Sequence, residues 1–124
     1  MIKTIYFIFF ACAFSLGLWA CAGNKKEAYK NLSSAQFEEL IKSEKVQLVD
    51  VRTAEEYMEG HIPGSLNINV KDTVNFPISV DEQLDRSCKI AVYCRSGRRS
   101  RTAADILAKK GFKVYNLDKG ILNW

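Results

Sequence analysis

The chain has 124 residues, 48% hydrophobic and 26% charged, with a formal net charge of +4. That is the composition of one ordinary globular domain, and it excludes a disordered or low-complexity chain. The basic excess is small and no long basic run carries interleaved aromatics, so a nucleic-acid-binding role has no support.

Residues 1–20 read as an export signal, with Lys3 as a short positive region and Ile5 to Leu18 as an uncharged apolar run. The run is about 14 residues, short against the roughly 20 that a spanning helix requires. Leu18-Trp19-Ala20-Cys21 resembles the bacterial lipobox, in which a small residue precedes a cysteine that is diacylated and becomes the new N-terminus. This resemblance implies a lipidated Cys21 and a domain anchored to a membrane of the bacterial cell envelope, facing the periplasm or the exterior. Each methylene of an acyl anchor contributes about 0.8 kcal/mol, so two or more chains hold a protein on a bilayer stably. Trp19 is bulkier than the residue usual at its place, and an uncleaved N-terminal anchor is the competing reading. Residues 21–31 then form the lipidated N-terminus and a short polar tether. Cys12, inside the apolar run, reads as a small hydrophobe.

Ser33 followed by Gln36 fits a capping box, and Phe37, Leu40 and Ile41 share one helical face, predicting a helix over residues 34–43. Val46 to Val51 is an apolar, β-branched run, the pattern of a strand buried on both sides, with Asp50 at its carboxyl edge. Thr53 with Glu56 repeats the capping box and opens a short helix that Gly60 closes in a left-handed conformation. His61-Ile62-Pro63-Gly64 is a turn, and Leu66 to Val70 a second strand. Residues 71–80 carry no readable period, with Pro77 excluding regular structure at their centre; a short helix is expected around Asp81 to Asp85. Ile90 to Cys94 is the next buried strand and Arg95 to Arg99 a loop. Ser100 begins a helix with Ala103, Ala104, Ile106 and Leu107 inward, closed by Gly111, before a last strand from Phe112 to Leu117. Alternating strands and helices predict an α/β fold, a parallel sheet with helices on both faces. In such sheets ligands bind beyond the carboxyl ends of the strands, where both Asp50 and Cys94 lie.

An oxidising compartment invites a disulfide between Cys88 and Cys94. An extended strand between them separates their Cα atoms by about 20 Å, against the roughly 4.4–6.8 Å that a disulfide spans. Cys94 is therefore expected to be a free thiol and Cys88 structural. The segment Cys94-Arg95-Ser96-Gly97-Arg98-Arg99-Ser100 joins a buried strand directly to a helix. A tight bend at Gly97 turns successive N–H groups inward as an anion nest, and the helix adds the positive end of its dipole. With Arg95, Arg98 and Arg99, these influences lower a cysteine pKa from about 8.5 into the range of about 3.5–7.5. No general base is then needed, which matters because His61 is the single histidine. The same arginines would suit a merely solvated loop; their coincidence with cysteine and glycine at a strand-to-helix junction favours a site.

Asp50-Val51-Arg52, Glu56-Tyr57, Gly60-His61-Ile62-Pro63-Gly64-Ser65, the loop Cys94 to Ser100, and Gly120 followed by Trp124 resemble, in order and spacing, the rhodanese homology domain. The resemblance covers residues 32–124. It implies a five-stranded parallel sheet flanked by helices on both faces. By the same likeness Cys94 takes sulfane sulfur and holds it as a persulfide, in a substrate-binding cradle of Arg95, Ser96, Gly97, Arg98, Arg99 and Ser100. Asp50, Arg52, Glu56 and His61 are implied to be mainly structural near the site. Arg52 and Glu56, four apart, are expected to pair, and His61 to fix its turn by hydrogen bonding. The chain departs from the pattern in ending at Trp124, where relatives often continue into a helix, and in having Lys119 where glycine is common; the site is expected not to depend on this last element.

The expected function is a sulfurtransferase that moves sulfur from a small anionic donor such as thiosulfate to a thiol or protein acceptor. It calls for no cofactor and no metal, and the chain is expected to be a monomer. A phosphatase of similar fold needs Cys-(x)5-Arg, and the position that arginine would take is Ser100. A non-catalytic binding module is opposed by the intact cysteine and loop. An envelope thiol-redox protein is opposed by the absence of a Cys-x-x-Cys pair.

Overall fold

A computed structural model describes residues 28–43 and 45–124. The export signal, Cys21 and most of the expected tether lie outside the described residues. The elements in order are β1 (Lys30–Leu32), α1 (Ser34–Ile41), β2 (Val46–Asp50), α2 (Ala54–Glu59), β3 (Leu66–Asn67), α3 (Asn75–Gln83), β4 (Lys89–Tyr93), α4 (Arg98–Lys109), β5 (Val114–Leu117) and a 3-10 turn at Ile121–Asn123. The strands form one sheet in the order β1-β5-β4-β2-β3, and every neighbouring pair is parallel.

Side chains alternate across a strand, and in the central strand β4 this divides two cores. Ile90 and Val92 pack on one face with Phe76 and Val80 of α3 and Ala103, Ala104 and Leu107 of α4. Ala91 and Tyr93 pack on the other with Phe37 of α1, Leu48 and Leu117. Helices thus cover both faces of a five-stranded parallel sheet, as the sequence pattern predicted. Both capping boxes form, with Ser33 and Thr53 each accepting the N–H of the residue three on while Gln36 and Glu56 reach back.

Several elements differ from expectation. Lys30 and Asn31, read as tether, belong to β1 and pair with Tyr115 and Asn116; only Leu32 of this edge strand is buried, so it carries no hydrophobic alternation to read. Pro77 does not break the chain. It is the third residue of α3, in the first turn, where an N–H has no intrahelical partner to lose. Asp72 opens that helix, its side chain accepting the Asn75 N–H at 3.1 Å and its carbonyl the Phe76 N–H at 2.8 Å. Strand β3 is two residues long, although the Ile68 and Val70 N–H groups still reach the Asp50 and Val51 carbonyls at 3.0 and 3.1 Å. Gly60 is extended rather than left-handed, with φ 160°. Helix α4 begins at Arg98, two residues before Ser100.

Candidate active site

Cys94 follows β4 directly and is 1% exposed. The chain turns back at Gly97, whose φ of +95° is left-handed and whose missing Cβ would overlap the Asp118 carbonyl oxygen. No side chain fits there. The bend folds the loop over the sulfur: Cys94 Sγ accepts the Gly97 N–H at 3.1 Å and the Ser100 N–H at 3.4 Å. Its thiol lies 3.4 Å from Ser100 Oγ, which donates to the Gly97 carbonyl at 3.1 Å. Burial pushes the Cys94 thiol up, but the Ser100 hydroxyl and the N–H groups of Ser100, Gly97 and Ser96 outweigh it and hold the thiol below its ordinary value. Twelve-residue α4, starting at Arg98, adds its positive end.

The arginines divide into two kinds. Arg99 is clamped by Glu56, with Nη1 and Nη2 donating to its two carboxylate oxygens at 2.6 and 2.9 Å. Arg99 holds the Glu56 carboxyl down to about 2. Glu56 also accepts the Thr53 N–H at 3.3 Å, so one carboxylate caps α2 and ties it to the Cys94 loop. Arg95 and Arg98 are exposed and make no side-chain hydrogen bond or ion pair among the described residues, so their charge is open to an anion. The thiol's depression therefore rests on N–H groups and a hydroxyl, where the sequence had suggested guanidinium groups as equal partners.

The expected pair between Arg52 and Glu56 does not form. Arg52 precedes the helix that Thr53 caps, so the four-residue helical spacing does not apply to it. Its Nε and Nη2 instead donate to Asp50, the shortest contact being 2.6 Å, and Nη2 also reaches the Gly60 carbonyl at 2.7 Å. Asp50 is fully buried and Arg52 is 5% exposed; donating to the Asp50 carboxylate raises the Arg52 pKa. Asn67 Nδ2 joins them, donating to the Asp50 and Arg52 carbonyls at 3.1 and 2.9 Å. His61 stacks on Tyr57 with centroids 3.7 Å apart and donates through Nδ1 to the Tyr57 carbonyl at 2.8 Å. Its hydrogen bond goes to the end of α2 and not to the sulfur.

Sequence reasoning missed two supports. Tyr93 Oη accepts the Ile62 N–H at 3.0 Å and meets Ser65 Oγ at 3.1 Å, fixing the turn beside the site; burial pushes its pKa up to about 12. The second overturns the expected independence from the last element. Ile121 and Leu122 donate their N–H groups to the Cys94 and Arg95 carbonyls at 3.0 and 3.1 Å, because carbonyls leaving a sheet need new donors. A Cβ at Gly120 would overlap the Arg95 carbonyl. The signal available was Gly120 itself, a glycine within the recognised motif set. Among the described residues Cys88 and Cys94 are not joined, and both are free thiols.

The family profile of the rhodanese-like domain matches residues 33–124. The chain is 35% identical over 98 residues to the thiosulfate sulfurtransferase GlpE of Shewanella oneidensis, covering 78% of this chain and 93% of that one. It is 36% identical over 96 residues to the putative sulfurtransferase YtwF of Bacillus subtilis, covering 77% and 89%. A tRNA uridine(34) hydroxylase of Prochlorococcus marinus is 36% identical over 100 residues, but the match spans 75% of this chain and only 32% of that protein. Among solved structures, a rhodanese-like domain protein from Staphylococcus aureus superposes with a TM-score of 0.67 at 27% identity, covering 77% of this chain and 90% of that one. The chain belongs to the rhodanese-like domain family, within which it is similar to sulfurtransferases.

Proposed function

We propose that the protein transfers sulfane sulfur from thiosulfate, or a donor of similar charge, to a thiol acceptor through a persulfide on Cys94. The observation that carries this reading is the convergence of the Gly97 and Ser100 N–H groups on one buried sulfur, with the Ser100 hydroxyl 3.4 Å from it. The Cys94 thiolate attacks the outer sulfur of thiosulfate. A Cys94 S–S bond forms as the thiosulfate S–S bond breaks, and its electron pair leaves on sulfite. Loop N–H groups lie where negative charge persists through the transfer, and they need no reorganisation. Arg95 and Arg98, exposed and without an ion-pair partner among the described residues, supply attraction for the anionic donor. An acceptor thiolate then attacks the outer persulfide sulfur and returns Cys94 as thiolate, a ping-pong sequence.

Phosphate chemistry is disfavoured by the same loop. Ser100 stands where a phosphatase arginine would be, and Arg99 is already neutralised by Glu56. The reading extends to place: we propose that Cys21 is diacylated and holds the domain on a membrane of the cell envelope. The test of the chemistry is mass spectrometry of the protein after thiosulfate treatment. Cys94 should gain one sulfur that cyanide removes, and Cys94→Ser should gain none; no such sulfur on Cys94 would sink the mechanism. The anchor is tested by the mass of the N-terminal peptide, which should carry acyl chains that Cys21→Ser lacks.

A further inference from the structure

Because all five strands are parallel, their amino ends share one edge of the sheet and Cys94 lies beyond the other. The chain reaches the first of these edges from its N-terminal side. Lys30 pairs with Tyr115 and Ile90 with Val114, so Ala28 is level with Lys113 and Lys89. Val46 pairs with Lys89, and the Lys89 N–H donates to the Lys45 carbonyl at 3.1 Å. Lys30, Lys45, Lys89 and Lys113 are thereby gathered where the chain enters the domain. All four are exposed, and none has an ion-pair partner among the described residues.

Aromatic rings accompany these charges. A groove of about 570 Å³ between the starts of β1 and β5 is lined by Tyr29, Phe112 and Tyr115 together with Lys30 and Lys113. Lys89 Nζ sits 5.9 Å from the Tyr115 ring centroid and the Arg86 guanidinium 4.9 Å from that of Phe112. Among the described acids at this end, Asp81 holds Arg86 at 3.3 Å and Lys110 at 3.0 Å, and Asp85 accepts the Ser87 N–H and hydroxyl at 2.8 Å. Glu82 alone at that end of α3 lacks such a partner among the described residues.

We propose that this edge rests on an anionic phospholipid bilayer, with the lysines on lipid phosphates, the half-buried Tyr29 and Tyr115 rings at headgroup level and the Cys94 loop turned to water. The proposal rests on the anchor reading. Residues 21–27 extend at most about 25 Å, so an acyl group on Cys21 keeps Ala28 near the headgroups. Rings with one apolar and one wet side, and lysines with apolar stems, suit that boundary, and anionic lipid attracts lysines within about a Debye length. Five residues of β4 set Cys94 about 16 Å beyond Lys89. The orientation has a chemical consequence: an anionic donor reaches the sulfur outside the negative potential of the membrane.

The test uses the full-length chain reconstituted in vesicles of phosphatidylcholine alone or mixed with phosphatidylglycerol, treated with a water-soluble amine-acetylating reagent and mapped by mass spectrometry. Lys45, Lys89 and Lys113 should acetylate about fivefold more slowly with phosphatidylglycerol present, while Lys71 and Lys119, away from this edge, react equally in both. Combined Lys45→Glu, Lys89→Glu and Lys113→Glu should abolish the difference. If that variant fails to fold, about 0.5 M salt added to the wild type should do the same by screening. A chain that floats with both vesicles while its lysines acetylate equally would overturn this proposal and leave the anchor standing. A chain that does not float overturns both, without touching the sulfur chemistry. Protection already present in detergent would point to a second copy of the chain on this edge and overturn the proposal as well.

Discussion

Replacing Glu56 by glutamine removes the charge that joins the start of α2 to the Cys94 loop. Arg99 holds this carboxyl by two hydrogen bonds, at 2.6 and 2.9 Å, and lowers its pKa from 4.5 to about 2. At about 1.4 kcal/mol per pH unit the difference corresponds to about 3 kcal/mol. The Arg99 and Glu56 side chains are 22% and 28% exposed, and partial screening by solvent brings the expected loss to about 2 kcal/mol. The folded-state pKa is depressed, so the stabilisation is fully present above the unfolded value of 4.5 and is lost as pH falls through about 2. Urea unfolding of wild type and Glu56→Gln, followed by circular dichroism in mild detergent, reads this directly. The variant should be weaker by about 2 kcal/mol at neutral pH, with the gap narrowing below pH 4.5 and closing near pH 2. A gap that persists unchanged at the acid end, or no gap at neutral pH, would refute the assigned role of the charge pair.

Asp50→Asn leaves Arg52 buried without its counter-charge, and thermal or urea unfolding should show a loss of about 3–5 kcal/mol. Ser100→Ala removes a hydrogen bond that favours the Cys94 thiolate, so the pH midpoint of Cys94 alkylation should move up and the rate of persulfide formation at neutral pH should fall. An unmoved midpoint would assign the depression to the backbone N–H groups alone. Gly120→Ala drives a methyl group into the Arg95 carbonyl; persulfide formation should slow at least about tenfold, since small misplacements of reacting atoms are costly, while circular dichroism stays native. Tyr93→Phe should cost about 1–2 kcal/mol in unfolding experiments by stranding the buried Ile62 N–H.

Much of this protein was legible because its signals are local. The Ser33 and Thr53 capping boxes, the β-branched run ending at Asp50 and the bend at Gly97 over the Cys94 sulfur each act within a few residues and form as read, although the helix after the bend starts at Arg98 and not at Ser100. The errors fall where local patterns are silent or ambiguous. Strand β1 has one buried residue, so only its pairing with β5 defines it. Pro77 reads as a breaker unless its position within the first turn of α3 is known.

The identity of Cys94 as a buried thiol at the end of a strand, followed by a glycine bend and a helix, was determined by the sequence alone. So was the alternation that makes a parallel sheet covered on both faces. Only the tertiary structure decided which partner each charge takes. Arg52 turns back to Asp50 and leaves Glu56 to Arg99, from 43 residues away, and Ile121 and Leu122 close over the carbonyls of Cys94 and Arg95. The physical reason is that a buried ion or carbonyl must find a partner wherever the fold brings one within reach, and spacing along the chain carries no record of that distance.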